Sequence, residues 1–249
     1  MSSGATAAAG QPAEKDQPLY NVVNGPAPAT IADVIARMQA IDALLPVGDG
    51  LKWFNQLYLA VTQQVDLNPP GGAWQSPAWV LGLDVVFAGF YFSALSAYLG
   101  GGAVASAWSA FFEARYRPGI DRIQFALAGV NAHINHDLAL ALLATDAAQN
   151  VVPGLDSSEH ADFEAVNGLL NTLMPAELNV LATDTLGVLA EDTGKIGRLL
   201  AFWDMCKARD LAWDFADHLR GLTGVSRDVA LNAQDALTGA LGRAILAAA

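Results

Sequence analysis

The chain has 249 residues, 53% of them hydrophobic and 15% charged, which is ample apolar side chain to bury a sizeable core and excludes a disordered protein. Lys and Arg number 13 against 25 Asp and Glu, and the net charge of −12 argues against phosphate-driven nucleic-acid binding and against anionic membrane surfaces. The one cysteine, Cys206, excludes an intrachain disulfide framework.

Residues 1–29 are rich in Ala, Gly, Ser, Gln and Pro and lack a basic n-region, so they read as a disordered tail and not as a signal peptide. Residues 30–249 read as a single domain. Thr30 is placed to cap a helix running through Leu45, with Asp33 in capping-box position and Pro46 and Gly48 as the stop. A second helix is expected from Gly50 to about Val65, ended by Pro69-Pro70-Gly71-Gly72. Ser76-Pro77 reads as a helix start, and Gly100-Gly101-Gly102 as its end. Within it, Trp79 to Leu99 has about the roughly 20 residues a membrane span needs, but Asp84, Gly82 and Gly89 favour a buried core helix. A helix over 103–116 precedes a break at Pro118-Gly119. Another fills Ile120 to about Thr145. Asp156 and Glu159 have capping-box spacing ahead of a helix over 157–173. Pro175 is expected to start a stretch through about Gly194, followed by a helix over 195–222 and a last one capped by Ser226. Strand signals are few. The expectation is an all-α, single-domain bundle of about eight helices.

The segment Asn131-Ala132-His133-Ile134-Asn135-His136-Asp137-Leu138 holds two of only four histidines in otherwise apolar surroundings. On a helix His133 and Asp137 stand four apart and His133 and His136 three apart, so all three side chains can face one partner. Gly129 and Ala126 leave room beside the imidazole for a ligand or a neighbouring helix. One reading is a metal site of His133, His136 and Asp137 holding a divalent ion such as zinc or iron. A second makes His133 a general acid or base whose other ring nitrogen is held by Asp137. A third is a haem ligated by either histidine, and a fourth a purely structural cluster.

Further polar residues lie in apolar surroundings. Asp84, in Leu83-Asp84-Val85-Val86-Phe87, needs a partner or a cation, supplied by Arg122 or Arg209 if the pair is structural. Tyr91 shares its face. Phe54, Tyr58 and Thr62 form a stripe at helical spacing, most simply a core stripe. Asn167 lies among Val166, Leu169 and Leu170, and Arg209 and Trp213 are spaced to stack. No Gly-x-Gly-x-x-Gly, lysine phosphate loop, Gly-x-Ser-x-Gly elbow, Cys-x-x-Cys or His-Glu-x-x-His is present.

These segments, Phe54-x3-Tyr58-x2-Val61-Thr62, Tyr91-Phe92-Ser93-Ala94-Leu95 and Asn131 to Leu138, resemble an uncharacterised bacterial domain family common in actinobacteria. Asp162-Phe163-x2-Val166-Asn167 and Arg209-x2-Ala212-Trp213 resemble its later segments. The resemblance implies a shared site without naming a reaction, and it favours His133 with Asp137 over a chelate including His136. The resulting expectation is a soluble, cytoplasmic small-molecule enzyme performing metal-assisted hydrolysis or oxygen chemistry on an apolar or aromatic substrate. His133, Asp137 and Asp84 would carry the chemistry. Asn131, Asn135, Tyr58, Tyr91, Asn167, Arg209 and Trp213 would line or anchor the substrate. The alternative is a non-catalytic binding or scaffold protein.

Overall fold

A computed structural model describes residues 12–182 and 204–247. Among these residues the chain is helical, with no strand. In chain order the helices are α1 (Gln17–Val23), α2 (Ile31–Leu44), α3 (Gly50–Leu67), α4 (Pro77–Leu99) and α5 (Ser106–Glu113). Next come α6 (Arg122–Ala132), a π-helical turn (His133–Leu138) and α7 (Ala139–Gln149), which run on as one rod. The chain closes with α8 (Ser158–Ala182), α9 (Met205–Arg220) and α10 (Gly224–Ala247).

The rod is the axis of the fold. Every residue of α6 after Arg122 is buried, so this helix is contacted on all sides. α3, α5, α8 and α10 pack on α6, α4 and α9 pack on α7, and α4, α9 and α10 also reach the π turn. α2 lies outside α3, with α1 against α2 and α4. Among the described residues α4 is the one helix long and apolar enough to cross a membrane. It packs against α1, α2, α7 and α8 and buries nine residues, including Trp79, Phe87 and Tyr91.

Several helix ends differ from the sequence reading. Thr30 and Asp33 do form the reciprocal capping box. Ser76, by contrast, makes no capping bond of its own. The two amides just ahead of the helix are met from across the fold, because Gln75 N and Ser76 N donate to the Asp162 carboxylate at 3.0 and 2.6 Å. Asp156 does not cap α8; Ser157 Oγ accepts from His160 N at 3.1 Å. α8 runs through Pro175 instead of breaking there. The last helix begins at Gly224, whose φ of 52° is open to glycine, so Ser226 lies inside its first turn and not at its cap. The expected tail contains α1, which starts with Pro18 in its first turn and buries Leu19 and Val23. Residues 1–11, and the expected helical stretch from 183 to 203, lie outside the described residues.

Candidate functional site

Asp137 is the hub of the buried polar cluster. Its Oδ2 accepts from His133 Nδ1 at 3.0 Å and from Trp108 Nε1 of α5 at 3.0 Å, while its Oδ1 accepts from His136 Nδ1 at 2.7 Å. An ionised carboxylate only accepts, so both imidazoles must present Nδ1–H to it. Both histidines and Asp137 lie in the π turn, where His133, four residues before Asp137, and His136, directly before it, both reach the one carboxylate. Such a turn disturbs the backbone ladder, and the Asn135 carbonyl is met by Gln234 Nε2 of α10 at 2.6 Å.

With Nδ1 as the donor, neutral His133 carries its lone pair on Nε2. That atom is buried and, among the described residues, has no hydrogen-bond partner. The His133 side chain lines a cavity of about 50 Å³ whose walls include Phe54, Tyr58, Phe87, Val166 and Arg209. The ring is clamped by Phe87, stacked at 3.5 Å with an interplanar angle of 2°, and by Tyr58, edge-on at 4.6 Å. Burial pushes the His133 pKa below 6.5 despite the Asp137 carboxylate, so the ring is neutral at pH 7. His136 goes the other way. Burial depresses it, but the Asp137 bond and the Asp137 and Asp235 charges outweigh that and raise it. Burial raises Asp137, and the two histidine bonds more than compensate and hold it below the usual carboxylate range. The Tyr58 hydroxyl is buried, near Thr62 but with no partner at hydrogen-bond distance among the described residues, and desolvation together with the charges of Asp84 and Asp137 keeps it protonated.

A second cavity of about 40 Å³ adjoins the first across Phe87, Val166 and Arg209. It is lined by Asp84, whose Oδ2 is buried and unpartnered among the described residues and whose carboxyl is raised to about 7 by burial and by Asp66, against the pull of Arg209. Asp84 is therefore beside the His133 cavity and not in it, and it pairs with neither expected arginine. Arg122 lies over Trp53, with its guanidinium carbon 4.4 Å from the ring. Arg209 donates to Asn167 Oδ1 at 2.8 Å and to the Phe163 carbonyl at 3.0 Å.

The other expected site residues divide. Tyr58 and Arg209 share the His133 cavity, and Asn167 holds Arg209. Tyr91 belongs to the aromatic shell, but its hydroxyl donates to Asn55 at 3.4 Å. Asn131 and Asn135 bond to each other at 2.9 Å, and Asn131 Nδ2 donates to the Thr238 carbonyl, so they tie α10 to the rod. Trp213 packs on Trp79, His160 and Phe163, while Arg209 stacks on Phe163 instead of Trp213. The space left by Gly129 is filled by Phe54, whose ring would lie 2.4 Å from an added Cβ. His133, His136 and Asp137 converge on one another and not on a shared point. Among the described residues no three His, Cys, Asp or Glu side chains form a metal-holding group. Sequence reading missed Trp108 and Phe87. A buried tryptophan needs a partner for its N–H, but only the fold says which one.

The fold and site define an all-α domain built around a buried histidine that faces a small apolar cavity. The chain belongs to DUF5995, a family of unknown function, which matches residues 31–248. No curated protein and no solved structure matches the chain.

Proposed function

We propose that the protein is a small-molecule enzyme in which neutral His133 acts as general base through Nε2, removing a proton from a small substrate or from a water that attacks it. The observation that carries this reading is the buried Nε2, without a hydrogen-bond partner among the described residues, on a ring that lines the cavity while its Nδ1 is held by Asp137. Asp137 positions the ring and sets its tautomer, Trp108 and His136 hold Asp137, and Phe87 fixes the plane of the ring. The Tyr58 hydroxyl, still protonated, is placed to donate to an oxygen of the substrate.

The test combines structure and rate. Nitrogen-15 spectra of histidine-labelled protein at pH 7 should show His133 as the Nδ1–H tautomer with a bare Nε2. Turnover in a panel of small esters, lactones and carbonyl acids should fall by about 10²–10⁴ in His133→Gln, with the wild-type rate rising through an apparent pKa below 6.5. A protonated Nε2 at pH 7, or turnover unchanged in the variant, would overturn the reading.

A divalent zinc or iron ion is a second reading, favoured by the same nitrogen, since a bare buried imidazole is also a ligand. Such an ion would take its remaining ligands from water and substrate. Elemental analysis of the wild type beside His133→Ala separates the two, a stoichiometric metal lost in the variant supporting the ion.

A further inference from the structure

Arg209 is 7% exposed and, among the described residues, lies within ion-pair distance of no carboxylate. A buried cation left in this state is costly unless something anionic completes it. Its nearest acids are held off by a neutral spacer. Asn167 accepts from Arg209 with its oxygen and donates with its amide to Glu164 at 3.2 Å and Asp210 at 3.0 Å, so those acids reach the guanidinium only at second hand. Two of its bonds are accounted for by Asn167 and Phe163, which leaves N–H groups of the five-donor fork uncommitted. The same side chain borders both cavities, the one lined by His133 and the one lined by Asp84.

We propose that Arg209 anchors the carboxylate of a short-chain monocarboxylic acid whose apolar tail lies in the His133 cavity. This names the substrate class of the site described above and rests on that reading for the role of His133, but the binding does not depend on His133 being the base. Size sets the class. A water needs on the order of 10–15 Å³ of such space, so cavities of about 50 and 40 Å³ hold a ligand of roughly three to seven non-hydrogen atoms, the range from acetate to butyrate. The Phe54, Phe87 and Val166 walls suit the tail, and the guanidinium fork suits the carboxylate.

Asp84 supplies a competing negative charge, so affinity should depend on pH. The titratable groups acting on this locus are Asp66 from α3, Asp84 from α4, Glu164 from α8, and Asp210 and the neutral Cys206 thiol from α9. Burial lowers Arg209 to about 10, so it stays charged throughout the neutral range. As the pH falls through about 7, Asp84 becomes neutral and its repulsion of the bound anion ends. Binding should therefore tighten below pH 7 and weaken above it.

The experiment is calorimetric titration of the full chain with propionate, and with propionamide as the uncharged control, at pH 6.0 and 8.0. Propionate should bind at least tenfold more tightly than the amide at pH 6.0 and several-fold more weakly at pH 8.0. Arg209→Gln should lose at least tenfold for propionate and little for the amide, and Arg209→Lys should recover part of the loss. Because Arg209 also ties α9 to α8, Asp84→Asn decides the matter if the arginine variants do not fold: it should bind propionate at pH 8.0 as tightly as the wild type does at pH 6.0. Equal affinity for acid and amide, no binding of either, or no effect of Asp84→Asn would overturn the proposal. His133→Gln separates the two ideas. Propionate binding retained within about threefold, together with turnover that also survives, refutes the base and leaves the carboxylate site standing.

Discussion

One carboxylate organises three donors at the centre of this protein, and its two histidines are driven to opposite protonation states by a difference in surroundings. His133 is sealed among aromatic rings and stays neutral, whereas His136, with a side chain 19% exposed, faces Asp137 at 2.7 Å and Asp235 at 3.7 Å and is favoured as the cation. The sign for stability follows. A raised folded pKa means that the His136 contribution is complete below the unfolded value of 6.5 and is lost as the pH rises through its higher folded value. His133 acts oppositely, costing stability as the pH drops below 6.5 because the unfolded chain takes up the proton that the folded ring resists. Urea unfolding should thus show His136→Gln destabilised by about 1 kcal/mol at pH 6 and by distinctly less once the wild-type ring has deprotonated. An equal loss at both pH values would mean that His136 is held as a neutral donor. The pairing of His133 with Asp137 was legible from their spacing. The third donor was not, because Trp108 is 29 residues away in sequence and meets the carboxylate only after α5 folds against the rod.

At the scale of elements, the helices were legible from apolar period and punctuation, as α2 and its capping box show. What escaped was anything set by a neighbour. The π turn has no local signature, since its residues fit an α-helical pattern equally well, and the Asp162 carboxylate that holds the Gln75 and Ser76 amides ahead of α4 lies more than 80 residues away. Helix crossings are a further case, because a glycine reads as a weakness until the opposing backbone is seen. Gly239 of α10 faces α5 so closely that an added Cβ would lie 2.6 Å from the Ser106 carbonyl oxygen, and one added at Gly242 would lie 3.3 Å from Ala110 Cβ. Asp235 fixes the same crossing by accepting from Ser106 N and Ala107 N at 3.0 and 2.8 Å. Gly239→Ala should therefore cost about 1–3 kcal/mol in chemical unfolding, since the obstacle is main chain and cannot rotate away. Gly89→Ala in α4, where nothing lies within 4 Å of the new methyl, should stabilise by up to about 1 kcal/mol through helix propensity alone. Equal responses at the two positions would show that α10 does not press on α5 as described.

For the whole molecule, the net charge of −12 and the buried Arg209 pull in opposite directions on any anionic ligand. The summed charge repels an approaching carboxylate over distances that salt can screen, with a Debye length of about 10 Å at 0.1 M. The Arg209 contact is made inside the fold, where screening is weak. The two effects therefore separate in kinetics. Added salt should raise the association rate of propionate by roughly two- to threefold between 20 and 200 mM, since it relieves long-range repulsion, while the dissociation rate barely moves. Propionamide should show neither change. Line shapes of carbon-13-labelled propionate, followed across the salt series, measure both rates on the same sample. An association rate that falls with salt would instead mean that the anion is attracted on its way in, and would move the recognising charge from the buried arginine to a basic entrance at the surface.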